Sequence, residues 1–171
     1  GLDGTELERA IRAVQALPKA ATRPLLIVPH RSAGVETVER SAQVADVLVL
    51  QGDQAPLARS GALQALGAKC VCWCRGPYGG LVVYQQKATT WPALPVEVVE
   101  PTGVTASFAG ALAAHCALAG KADFSAIKRG LAVASAVASL TAQGPGSKKL
   151  LSCDRSTFED RFNRLRRTHK F

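Results

Sequence analysis

Hydrophobic and polar positions alternate along this chain in two rhythms. Short, continuous apolar runs occur at residues 25–28 (Leu25 to Val28, stopped by Pro29), 46–50 (DVLVL), 70–74, 81–84 and 94–99. Runs of four to six such residues, bounded by turn formers, predict buried strands rather than half-exposed ones. Between them lie stretches of helical period. Thr5 to Glu8 reads as a capping box, followed by Leu7, Ile11 and Val14 on one face. Further helices are predicted at 35–45, at 55–66 with Gly67 as a left-handed stop, at 105–118 and at 124–140. Gly144-Pro145-Gly146 breaks the pattern. Ser156 is placed to cap a last helix with Phe158, Phe162 and Leu165 on one side.

Strands alternating with helices predict an α/β fold with a mostly parallel, doubly wound sheet covered by helices on both faces. Gly76-Pro77-Tyr78-Gly79-Gly80, between the third and fourth strands, predicts a local antiparallel pair. The expected organisation is one α/β domain over residues 1–143 and a basic helical extension over 144–171.

Composition narrows the classes. The chain has 171 residues, 47% hydrophobic and 20% charged, which excludes a globally disordered polymer. No apolar run reaches the roughly 18–20 residues of a membrane-spanning helix, so no membrane partner is expected. There is no Met and no signal-type leader, so we expect a processed chain or part of a longer product. Five Cys without a disulfide framework predict a reducing, intracellular compartment. The net charge is +8, and residues 148–171 hold eight basic and three acidic side chains. Lys148, Lys149, Arg161, Arg164, Arg166, Arg167 and Lys170 would lie off the Phe158–Phe162–Leu165 stripe. They are the candidate contacts for a polyanion, RNA above all, with nothing that specifies DNA. A solvated helix is the competing account.

Two segments together carry a resemblance. One is Gly67-Ala68-Lys69, a strand, and then Gly76-Pro77-Tyr78-Gly79-Gly80-Leu81-Val82-Val83. The other runs from Pro95-Val96-Glu97-Val98-Val99-Glu100-Pro101-Thr102-Gly103 through Val104-Thr105-Ala106-Ser107-Phe108-Ala109-Gly110-Ala111-Leu112. Over residues 24–142 the chain resembles the C-terminal half of the ribokinase-like (PfkB family) carbohydrate kinases. That family has a G-x-x-G turn between strands and a D-T-T-G-A-G-D-x-F-x-G-A-L helix start. The resemblance implies a ribokinase-like fold, truncated to about half, and ATP-dependent phosphorylation of a sugar or similar alcohol. In the family, helix-start N–H groups hold the developing phosphate charge and the Asp takes the hydroxyl proton.

Residue by residue, the chemistry implied by the resemblance is altered. Gly103 matches the first glycine, Val104 replaces Ala and Thr105 replaces the second Gly. Ala106 occupies the catalytic Asp position. Glu100 matches the opening acidic residue but precedes the turn. Where the family has N-x-x-E, this chain has Gln51-Gly52-Asp53-Gln54, and its D-P-N-like segment reads Val28-Pro29-His30. Gly76, Gly79 and Gly103 are the candidates for residual anion or nucleotide binding, against an empty turn capped by Thr102 or Thr105. Cys70, Cys72 and Cys74 share a strand face and read as buried small hydrophobes, without a metal-ligand pattern. His30, His115 and His169 are scattered, and Tyr78 reads as an exposed turn residue.

The reading is therefore a non-catalytic, ribokinase-like structural subunit of a larger assembly. Other protein subunits and RNA are its expected partners, an organellar (mitochondrial) ribosome or its assembly intermediate is the expected setting, and no cofactor is expected. The alternatives are a PfkB sugar or nucleoside kinase fragment and a nucleotide-binding regulatory pseudokinase.

Overall fold

A computed structural model of the chain describes residues 27–30, 34–52 and 56–168, together with residues 9, 12 and 13. The capping box at Thr5, the apolar positions Leu7, Ile11 and Val14, and Asp53, Gln54, His169 and Lys170 lie outside the described residues.

Five strands form one sheet in the order β1 (Ile27–His30), β2 (Val47–Gln51), β3 (Cys70–Cys74), β4 (Gly80–Tyr84), β5 (Lys87–Trp91). The first three run parallel and the last two pairings are antiparallel. Helices α1 (Val35–Ala42) and α2 (Pro56–Ala65) connect the parallel strands. Helices α3 (Val104–Leu118) and α4 (Phe124–Ala142) follow the sheet, and α5 (Lys148–Leu151) and α6 (Arg155–Thr168) complete the chain.

The continuous apolar strands are explained by a core on each face. Val47, Val49, Cys70, Cys72, Val82 and Trp91 pack against Phe108 and Leu112 of α3 and Ile127 and Leu131 of α4. The alternate positions Leu48, Leu50, Val71 and Trp73 face Val38 and Ala42 of α1 and Leu63 of α2. Small residues let α3 and α4 approach closely: a Cβ added at Gly130 would lie 2.7 Å from Leu112 Cδ1. The β3–β4 connection is a 3-10 turn, Gly76–Tyr78, closed by Arg75 N–H donating to the Gly79 carbonyl at 2.8 Å. Gly79 has φ +75°, and a Cβ there would lie 1.9 Å from the Trp91 carbonyl oxygen, so no other residue fits.

Four element expectations are corrected. The fifth strand is Lys87–Trp91, not 94–99. Gln85 takes φ +51°, the chain turns straight back, and β5 occupies the edge beside β4. Pro92 and Pro95 lack the N–H a ladder needs, and Val99 and Glu100 instead donate to the Ala142 carbonyl. The first strand is not stopped by Pro29 but runs through it to His30, which an edge strand tolerates. Helix α1 ends at Ala42 rather than at residue 45. The cap of α6 is Asp154, not Ser156: its carboxylate accepts from Thr157 N–H at 2.7 Å and from the Ser156 hydroxyl at 2.9 Å. Those bonds hold the Asp154 carboxyl below its ordinary range.

The 144–171 segment packs on the domain. Leu165 is buried with Ala132 and Ala136 of α4, and Phe158 and Phe162 stack beside it at 6.2 Å.

Candidate functional site

Parallel strands leave their carboxyl ends open, and the crevice there is where open α/β sheets place ligands. The chain has a cavity of about 550 Å³ at that end. Gln51 closes β2 and Cys74 closes β3; Gly76, Pro77 and Gly79 form the turn side. Trp91, stacked on Phe108 at 5.5 Å, forms the base, and the 93–98 segment forms a rim. The fourth wall is Val104 and Thr105 of α3 with Ser135, Ala138, Ser139 and Ala142 of α4.

Helix α3 opens beside this cavity. Gly103 is its N-cap with φ +84°, a left-handed conformation that explains the glycine. Neither Thr102 nor Thr105 caps it, contrary to expectation, since no side chain bonds the first turn. The Thr102 hydroxyl donates to Glu100 Oε1 instead, as does Thr102 N–H at 2.9 Å. Ala106 is exposed in the first turn, with a methyl where a proton acceptor would be needed. Of the sequence candidates, Gly76 and Gly79 line the cavity directly, and Gly103 sets the start of the helix that lines it.

The basic side chains are distributed differently than expected. Lys148 and Lys149 on α5, and Arg164, Arg166 and Arg167 on α6, are exposed. Arg166 also lies over the Phe162 ring at 5.7 Å. Arg161 is the correction: it turns toward α4, where it donates to Ser139 Oγ at 2.9 Å and to Gln143 Oε1. Burial pulls its guanidinium below the ordinary arginine value. Its two acceptors are the reason it leaves the solvated side of the helix.

The cysteines on β3 are packing groups. Cys70 and Cys72 are fully buried with sulfurs 4.0 Å apart. The Cys70 contact and burial push the Cys72 thiol well up, and burial pushes Cys116 up to about 11. Neutral thiols of this kind make poor nucleophiles and ligands. Among the described residues no three His, Cys, Asp or Glu side chains converge on a metal position. His30 bonds Ser41 Oγ at 3.0 Å, and Tyr78 stands out from the turn at 79% exposure.

Sequence reasoning missed Ser135, Ser139 and Trp91. Two serines four residues apart in an alanine-rich helix share a face, and that spacing was the available signal. Among the described residues, the Ser135 hydroxyl is the buried side-chain oxygen left without a hydrogen-bond partner.

Solved structures share this architecture. Ribokinase from Giardia lamblia superposes with a TM-score of 0.74 at 12% identity, covering 92% of this chain and 56% of its own. The aminoimidazole riboside kinase of Salmonella enterica, crystallised with aminoimidazole riboside and an ATP analog, gives 0.69 at 19% identity over 91% and 56%. Ribokinase from Thermotoga maritima gives 0.65 at 19% over 92% and 53%. The chain spans about half the length of these kinases. It has the ribokinase-like fold, as the two sequence segments implied. No protein-family model and no curated protein sequence matches it.

Proposed function

We propose that this chain is a ribokinase-like domain that no longer transfers phosphate and serves as a structural subunit of a larger assembly. Its exposed C-terminal cations would meet RNA, and an organellar ribosome, mitochondrial in particular, or an intermediate of its assembly is the class of particle this predicts. One observation carries the loss of chemistry. Phosphoryl transfer to an alcohol needs a base within about 3 Å of the hydroxyl proton. The first turn of α3 presents Ala106 there, and the adjacent carboxylate, Glu100, is folded onto Thr102. Five free thiols, three of them fully interior, support a reducing compartment.

The alternative is the activity of the structural neighbours, ATP-dependent phosphorylation of a carbohydrate or riboside, performed with a half of the fold outside this sequence. Turnover separates the two. The complete protein is assayed for ATP-dependent phosphorylation of ribose, fructose and nucleosides. Loss of the base predicts rates about 100- to 10,000-fold below the roughly 1–100 per second of ordinary kinases. Turnover in that ordinary range would overturn the proposal, and its loss on changing Gly103 would locate the chemistry at this turn.

Ligand binding without chemistry is a second reading, and the cavity of about 550 Å³ favours it. A ligand at 100 times its dissociation constant adds about 2.7 kcal/mol of stability, which a melting curve resolves.

A further inference from the structure

Helix α4 carries three buried hydroxyls on its C-terminal half. Two find backbone partners: Ser139 Oγ donates to the Ala136 carbonyl at 2.7 Å and Thr141 Oγ1 to the Val137 carbonyl at 3.2 Å. Such back-bonding is the ordinary fate of a helical serine or threonine. Ser135 does not share it. Its oxygen is buried and unpartnered, and the residue lines the cavity. An alanine at this point would extend the surrounding alanine run without leaving a polar atom unsatisfied. A buried hydroxyl of this kind calls for a partner that the chain itself does not supply.

The rest of the cavity says what kind of partner. Trp91, Phe108, Leu94, Val98 and Pro77 offer flat or apolar surface, while no Lys, Arg or His lines it among the described residues. Arg161 reaches Ser139 Oγ but is not part of the lining, and its donors are occupied by Ser139 and Gln143. Val104 and Thr105 place side chains where the helix start meets the cavity. A phosphate entering such a space would lose its hydration with no cation to replace it. A cavity of this volume suits a molecule of roughly drug size, held by apolar burial and a few polar contacts.

We infer that the cavity binds an uncharged, ring-bearing molecule through apolar contact and one hydrogen bond to the Ser135 hydroxyl, and that it selects against phosphorylated forms of the same ring. This deepens the second reading above, ligand binding without chemistry, and stands apart from the assembly role. Adenosine and magnesium-ATP test it, because they share a ring system and differ in charge. Each is titrated into the complete protein carrying the neutral fluorescent probe aminoanthracene. Adenosine displaces the probe at a concentration at least about tenfold below that of ATP, as expected where phosphate pays a desolvation penalty. Ser135→Ala weakens adenosine by about threefold to tenfold, one hydrogen bond's worth, and raises the melting temperature of the unliganded protein. Ala138→Trp, which fills the cavity, abolishes probe binding with the far-ultraviolet circular dichroism unchanged. The inference is overturned by ATP binding as tightly as adenosine, by no displacement with adenosine, by an indifferent Ser135→Ala, or by probe binding that survives Ala138→Trp. None of these outcomes bears on catalysis, which the turnover assay reads separately.

Discussion

Single side chains in this protein are decided by what stands next to them. His30 closes β1 with its Nε2 3.0 Å from Ser41 Oγ, while the Ser41 hydroxyl donates to the Thr37 carbonyl. The ring therefore donates through Nε2 and is neutral in this arrangement. Burial lowers its pKa below the ordinary histidine value, and burial with the nearby Arg129 does the same to His115. A histidine whose folded pKa lies below its unfolded one binds a proton first in the unfolded chain. The stability it contributes is present above the unfolded pKa of about 6.5 and is lost as pH falls below it. The urea midpoint should thus drop between about pH 7.5 and about pH 5.5, and the double change His30→Gln with His115→Gln should flatten the drop. Asp123 and Asp154, both held below the usual carboxylate range, act at lower pH and leave this window clear. Equal midpoints at the two pH values in the unmodified chain would remove the account. At this scale Gly79, Gly103 and Ala106 were legible from sequence, since a turn glycine or a missing carboxylate is a property of one position. Arg161 was not, because its direction depends on Ser139 and Gln143, more than fifteen residues away.

Elements follow from periodicity as long as no second candidate competes for the same place. Strands β2 and β3 and helices α3 and α4 were visible as continuous apolar or small-residue runs. The edge position beside β4 had two claimants, 87–91 and 94–99. The nearer one won because a two-residue return brings it into register at once, and because the farther one carries Pro95. The last helix shows the same logic with a measurable consequence. Its heptad-like stripe puts Leu165 at 1% exposure against Ala132 and Ala136. Leu165→Ala should cost about 2–5 kcal/mol by urea denaturation, whereas Arg167→Ala, at an exposed position, should stay within about 0.5 kcal/mol. A neutral Leu165→Ala would mean that α6 does not hold to α4.

For the whole molecule the question is what the assembled surface offers. The sheet ends at β1, whose Ile27 and Val28 are only half-buried, and the chain spans about half the length of the kinases it superposes on. The exposed cations of α5 and α6 form the polyanion-facing side of the proposal. Each phosphate contact steepens the fall of log affinity with log salt by about 0.7–0.9. Binding to structured RNA should therefore weaken with salt, and changing Arg164, Arg166 and Arg167 together to Ala should flatten the slope by about two to three contacts. Arg161→Ala should leave the slope alone and lower the melting temperature, because that side chain faces α4. Salt-independent binding, or none, would remove RNA from the proposal. What the sequence determined by itself is the alternation of strand and helix, the glycines of the two turns and the methyl at Ala106, because each is written in local period or in one residue's own chemistry. What only the tertiary structure decided is which run became the edge strand, which arginine turned inward and which serine was left facing a cavity without a partner. Those outcomes depend on the groups that arrive opposite from distant parts of the chain, and no local pattern carries that information.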